Sequence, residues 1–299
     1  MTWTPRGKGG MLPWIIDTHV HDSPSPRKRL LYDLQGSSAG GSPDGGPSVQ
    51  SGLSDLLADM DRARVGTSFV ALSEATEEFL RLARLYPNRL FGLAPYDPFS
   101  PRQGLDRICE LCASHPTLIA GVTFTIPSPD QDPRRNEFTP LYEYCMRHDL
   151  PIQFCSDGSS AEGRLVRPSA FAVLARTFPP LKVVYQYAGS WDENATEYLH
   201  SLPNLFLQVA ALPQTKPDGS PGTLQALLRE VSSRKMVFAS DWRGRHPVYF
   251  ERVEGVRRLP FWYRRNIGWR TAARVYGSRI SIPERLKADG CFLLFNPSR

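Results

Sequence analysis

The stretch Trp14-Ile15-Ile16-Asp17-Thr18-His19-Val20-His21-Asp22 is a short apolar strand that ends in two histidines two residues apart. On an extended backbone, residues i and i+2 face the same way. His19 and His21 therefore point to one side, where their imidazole nitrogens can grip one metal ion. Near the other end of the chain, Lys235-Met236-Val237-Phe238-Ala239 is another apolar strand, followed by Ser240-Asp241-Trp242. An Asp at such a strand end can bind a metal and serve as general acid or base. The His-x-His pair alone is a weak signal, because two nearby histidines recur by chance. Joined to Ser-Asp-Trp at the end of the last strand, it marks a site.

Between these ends the chain alternates strands with amphipathic helices. Strands are predicted at 68–72, 90–94, 118–124, 151–154, 182–186 and 205–209, besides 14–18 and 235–239. Helical spacing of apolar residues predicts helices at 54–64, after 79, after 105, and at 141–148, 169–178, 191–202, 223–232 and 264–276. Eight β-then-α units over about 265 residues match the usual size of a (β/α)8 barrel. Strict alternation implies a parallel sheet. A doubly wound open sheet is the rival, but no Gly-rich phosphate-binding motif follows any strand. The expected architecture is a single-domain α/β TIM barrel over 14–277, with extensions at 1–13 and 278–299. The C-terminal extension is expected to pack on the barrel or on a partner. The Gly/Ser/Pro-rich segment at about 34–52 falls in the first βα loop, beside the His-x-His pair. It reads equally as a lid or as a flexible insertion.

Composition narrows the function classes. The 299 residues are 41% hydrophobic and 22% charged, the balance of a soluble globular chain. No apolar run approaches the roughly 18 residues of a membrane helix, so no membrane partner is expected. The N-terminal MTWTPRGKGGMLPW has no apolar core of a secretory signal. Five cysteines at irregular spacing do not read as a disulfide framework, and a cytoplasmic location is the expectation. The net charge is +6, with 30 Arg against 6 Lys. Such a skew reads first as codon composition and second as a small anionic ligand suited to the guanidinium fork. No nucleic-acid-binding signature is present, so nucleic acid is not an expected partner. A homo-oligomer is allowed.

The motifs also carry a resemblance. IIDTHVH (15–21), NRLFGLAPYDP (88–98), LKVVYQYAG (181–189), VFASDW (237–242) and AARVYG (272–277) resemble the amidohydrolase superfamily. The likeness is greatest to its amidohydrolase 2 branch of hydrolases, lactonases, hydratases and decarboxylases. It implies a (β/α)8 barrel with a single divalent metal, commonly zinc, and metal-ligand roles for His19, His21 and Asp241.

Three positions depart from that pattern. Where relatives carry a strand-five histidine, this chain has Leu150-Pro151-Ile152-Gln153-Phe154-Cys155. A Cys155 thiolate is a good zinc ligand, and a cysteine is equally a common buried residue. The strand-six histidine is replaced by Tyr187, with an ordinary pKa near 10. It is a poor base, but can donate a hydrogen bond to a carbonyl or oxyanion. The strand-four lysine of many relatives is Thr123, so no carbamylated lysine bridge and no two-metal site are expected.

Asp241 and Tyr187 are thus the catalytic candidates. His19, His21, Cys155 and Asp241 are the metal candidates. Arg243, Arg245, His246, Thr123 and Trp242 are the substrate-binding candidates, the two arginines as clamps for a carboxylate. Glu74, Tyr96, Asp97, Asp157 and Trp191 are lesser pocket-lining candidates, with capping or packing as the plainer reading. The expected activity is hydrolysis of a lactone or ester in a small carboxylated molecule. A metal-dependent decarboxylase or other lyase is the alternative within enzymes. A barrel that binds a ligand or partner without turnover is the alternative outside them.

Overall fold

The computed structural model describes residues 15–22, 52–72, 77–126, 132–156, 166–186, 194–209, 224–242 and 247–280. The N-terminal extension, almost all of the segment at 34–52 and most of the C-terminal extension lie outside these residues.

Eight strands run in sequence order around one sheet: β1 Ile16–His21, β2 Thr67–Ala71, β3 Leu90–Tyr96, β4 Ile119–Ile126, β5 Ile152–Ser156, β6 Val183–Gln186, β7 Leu205–Val209 and β8 Met236–Phe238. All seven neighbouring pairs are parallel. Past its last strand the sheet returns to its first. Val20 bridges Trp242 in parallel. The His21 amide donates to Trp242 O at 2.9 Å, and the Asp241 amide to His19 O at 3.0 Å. Eight parallel strands closing in this way make a single-domain (β/α)8 TIM barrel.

Helices cover the strands: α1 Leu53–Arg62, α2 Glu77–Leu85, α3 Pro101–Ser114, α4 Thr139–Arg147, α5 Pro168–Thr177, α6 Ala195–Ser201, α7 Leu224–Glu230 and α8 Pro247–Arg257. α1 buries Leu53, Leu56, Leu57 and Met60, the face that its periodicity predicts. α8 is a helix that the apolar spacing of the sequence does not predict. Its core contacts, Tyr249, Val253 and Val256, are diluted by charged residues and by Gly255. The final helix expected at 264–276 is broken. It consists of α9 Phe261–Arg265, a π-helical turn Asn266–Arg270 and α10 Thr271–Tyr276. Leu85, expected on the apolar face of α2, is 60% exposed at its end.

Two apolar clusters form. The larger lies between strands and helices and contains Val20, Val70, Val122, Phe124 and Phe154. The smaller fills the barrel: Ile16, Phe69, Phe91, Leu93, Val184, Phe206 and Val237 meet Trp269, Ala272, Ala273 and Tyr276. Tyr276 is fully buried and packs edge-on against Phe69, with ring centroids 4.5 Å apart. The last helical turns thus plug the barrel interior and leave the C-terminal ends of the strands for the site.

Candidate metal centre

A slip in register aims the two histidines inward. Ile16 belongs to the barrel interior and Val20 to the outer cluster. Strict alternation would put residues 16, 18 and 20 on one face. However, between the pairs Asp17↔Ser68 and Val20↔Val70, two β1 residues face one on β2. Such a bulge reverses the phase of the strand. His19 and His21 therefore take the interior face. His19 is 2% exposed.

The third member comes from β8. His19 Nε2 lies 3.2 Å from His21 Nε2, and His21 Nε2 lies 3.0 Å from Asp241 Oδ1. Among the described residues, these three form the group of His, Cys, Asp or Glu side chains whose ligand atoms lie within 4.8 Å of one another. The His21 and Asp241 side chains are 22% and 14% exposed, so the group sits at the mouth rather than in the sealed core. Asp241 has a φ of 54°. That left-handed conformation is uncommon for a residue with a side chain and needs surrounding structure to hold it.

Gln153, on the inward face of β5, sets the tautomer of His19. Its amide nitrogen donates to Thr18 O at 2.7 Å, and a carbonyl can only accept. The same nitrogen bonds the Tyr276 hydroxyl at 2.7 Å. This orients the amide, so Gln153 Oε1 faces His19 Nδ1 at 3.0 Å. Nδ1 must then carry the proton, which leaves the Nε2 lone pair directed at His21 and Asp241. A histidine whose outer nitrogen donates to a fixed acceptor is the usual state of a metal ligand. The donor set, two imidazoles and one carboxylate converging at the mouth, fits a single divalent ion.

Asp17 faces the other way and is fully buried. Its carboxylate accepts from Ser240 N at 2.8 Å and Ser240 Oγ at 2.5 Å. Burial pushes its pKa up to about 7, against the lowering effect of these bonds. Gln208, on the inward face of β7, is also fully buried, and among the described residues neither its amide nitrogen nor its oxygen has a hydrogen-bond partner. Gln153, Asp17, Ser240 and Gln208 were not singled out from the sequence. The available signal was a polar residue inside an apolar strand, as in Ile152-Gln153-Phe154 and Phe206-Leu207-Gln208-Val209.

The remaining candidates fall in several places. Cys155 Sγ lies 3.9 Å from His19 Nδ1, the nitrogen turned away from His21, and 3.9 Å from Thr123 Oγ1. It lines the same interior but is outside the converging group. Thr123 is buried beside it. Trp242 is 3% exposed in the outer cluster, and its indole N–H donates to the buried Asp59 at 3.0 Å. Tyr96 packs against Phe124 and Phe138, and Asp97 accepts from the Phe99 amide. Tyr187, Arg243, Arg245, His246, Glu74, Asp157 and Trp191 lie outside the described residues. No helix among the described residues is long and apolar enough to cross a membrane.

Comparison with known proteins agrees with this architecture. Among solved structures, the barrel resembles 5-carboxyvanillate decarboxylase from Novosphingobium aromaticivorans, complexed with manganese and 4-hydroxy-3-methoxy-5-nitrobenzoic acid. The two are 12% identical with a TM-score of 0.58, over 89% of this chain and 96% of that one. It also resembles 4-oxalomesaconate hydratase from Rhodopseudomonas palustris, at 18% identity and a TM-score of 0.59, over 92% of this chain and 98% of that one. A 2,6-dihydroxybenzoate decarboxylase in complex with 2,6-dihydroxybenzoate is 13% identical with a TM-score of 0.59, over 89% of this chain and 99% of that one. At these identities the likeness is one of fold. No curated protein sequence matches the chain. The amidohydrolase family model matches residues 16–278, nearly the whole barrel. The chain belongs to the amidohydrolase family, in its amidohydrolase 2 branch.

Proposed function

We propose that the protein is an enzyme that holds one divalent metal at His19, His21 and Asp241 and decarboxylates a small organic acid. The observation that carries this reading is the convergence of three ligand atoms within 4.8 Å at the barrel mouth. When bound, the metal draws electron density from substrate oxygens, which stabilises the charge left as the bond breaks. The chain's own groups do the rest. His19 presents a fixed lone pair because Gln153 holds its proton on the other nitrogen. Asp241 has two carboxylate oxygens, so one can face the ion while the other carries a proton. In decarboxylation the bond between carbon and carboxylate breaks, carbon dioxide leaves, and the electron pair stays on the substrate carbon. That carbon then takes the proton from the Asp241 carboxyl, which solvent replaces.

Two features favour this over attack by water. The strand-six base of the family is Tyr187 here, whose phenol is a poor proton acceptor at neutral pH. The solved structures of similar fold include decarboxylases of aromatic acids, among them one complexed with manganese. Two imidazoles and a carboxylate suit manganese as well as zinc. Cys155, if it turns toward the ion as a fourth ligand, would favour zinc. Arg243, Arg245 and His246 follow Asp241 in sequence and are proposed to receive the substrate carboxylate, with Thr123 lining the interior.

Hydrolysis of a lactone or ester is the second reading, because the Asp241 carboxylate can equally take a proton from water. The two are separated by incubating the manganese- and zinc-loaded protein with hydroxylated aromatic acids and with lactones. Carbon dioxide release without net acid from lactones, lost in Asp241→Asn, supports decarboxylation. Acid release from lactones, with no carbon dioxide from any acid, overturns it in favour of hydrolysis.

A further inference from the structure

The strand end that carries Asp241 is strained and tied down at the same time. Asp241 has a φ of 54°, so Ser240-Asp241-Trp242 departs from the extended path of β8. Five of its backbone polar groups nonetheless find partners. Ser240 N–H donates to Asp17 Oδ1 at 2.8 Å. The Asp241 amide donates to His19 O at 3.0 Å, and Trp242 O accepts from the His21 amide at 2.9 Å. Trp242 N–H donates to Ser240 Oγ at 3.1 Å. Arg252, from α8, donates to Ser240 O. Ser240 Oγ in turn donates to Asp17 Oδ2 at 2.5 Å. Asp17 also accepts from the His19 amide at 3.4 Å.

One buried carboxylate therefore touches both halves of the site. Through Ser240 it holds the residue just before Asp241, and on its own strand it holds the amide of His19. It does so from the outer face, where it cannot reach a substrate at the interior mouth.

We propose that Asp17 and Ser240 form a clamp that positions Asp241 against His19 and His21, making them positioning residues for the metal centre. The clamp fixes the strained turn at Asp241 so that its carboxylate meets the His21 imidazole before any ligand arrives. Removing it relaxes the turn and lets Asp241 swing from the pair. This inference rests on the metal reading for one of its two measurements and is independent of it for the other.

The first measurement is amide hydrogen exchange of the metal-free protein. In Ser240→Ala, and in Asp17→Asn if it folds, exchange at His21, Asp241 and Trp242 is expected to quicken at least tenfold. A control variant of equal melting temperature, Leu207→Ala in the outer cluster, is expected to leave those amides at the rate its global stability dictates. The second measurement is manganese titration by calorimetry, with the electron paramagnetic resonance spectrum of the bound ion. Ser240→Ala is expected to bind roughly ten- to a hundredfold more weakly with an altered spectrum, and the Leu207→Ala control within twofold of wild type. Exchange rates at the three amides that match the control overturn the clamp, whatever the metal result. If manganese fails to bind the wild type but exchange quickens as expected, the metal reading falls and the clamp stands.

Discussion

The imidazole of His19 has two nitrogens, and the barrel gives each a different task. Nδ1 is held by Gln153 at 3.0 Å, and Nε2 faces His21 at 3.2 Å. Gln153→Leu would leave Thr18 O and His19 Nδ1 buried without this partner. Each lost bond of this kind costs about 1–3 kcal/mol. The variant is expected to melt lower, and to bind manganese roughly ten- to a hundredfold more weakly, as second-layer partners of metal ligands generally do. Calorimetry and a thermal melt read both. At this scale the sequence was informative where spacing alone identifies a pair. His19 and His21 share a face by the period of a strand, and Asp241 stands at the matching end of the chain. Gln153 and Asp17 were not legible. Their roles depend on which face they take and on partners more than 120 residues away, and neither shows in local spacing.

At the scale of elements, a bulge in β1 decides which face the histidines use, and nothing in Ile-Asp-Thr-His-Val-His marks it. The eight strands were legible because each is a short apolar run between helical patterns. α8 was missed because its Tyr249, Val253 and Val256 are spread among arginines and glutamates. Strand packing gives a second prediction. A Cβ at Gly121 of β4 would lie 2.7 Å from Pro151 O. Backbone there cannot yield easily, so Gly121→Ala is expected to destabilise the barrel by about 1–3 kcal/mol, measured by urea denaturation. A third concerns Asp149, two residues past the end of α4. Asp149 is paired with Lys182 at 2.8 Å and bonded by Ser278 at 2.5 Å. Desolvation opposes ionisation, but the bonds from Lys182 and Ser278 prevail and hold its carboxyl below the ordinary value. A carboxyl with a depressed folded pKa adds stability above its unfolded pKa, and that stability is lost as pH falls through the folded value. Asp149→Asn is therefore expected to be less stable than wild type at pH 7. The gap should close below about pH 4, near the ordinary Asp pKa. A gap that stays constant down to pH 3 would contradict the pairing.

For the molecule as a whole, one junction joins the ends of the chain and builds the site. The sheet returns to itself where β1 meets the residues after β8, and those same residues bring Asp241 to His19 and His21. Barrel closure and the convergence of these three side chains are thus the same event. That is why a reading from the two strand ends gives the fold and names three side chains that the fold brings together. The central claim is that His19, His21 and Asp241 bind one divalent ion. It is tested most directly by titrating metal-free protein with manganese in a calorimeter, beside His19→Ala and Asp241→Ala. One equivalent per chain is predicted for the wild type, with affinity reduced at least a hundredfold in each variant. No binding by the wild type, or equal binding by all three proteins, would contradict the claim.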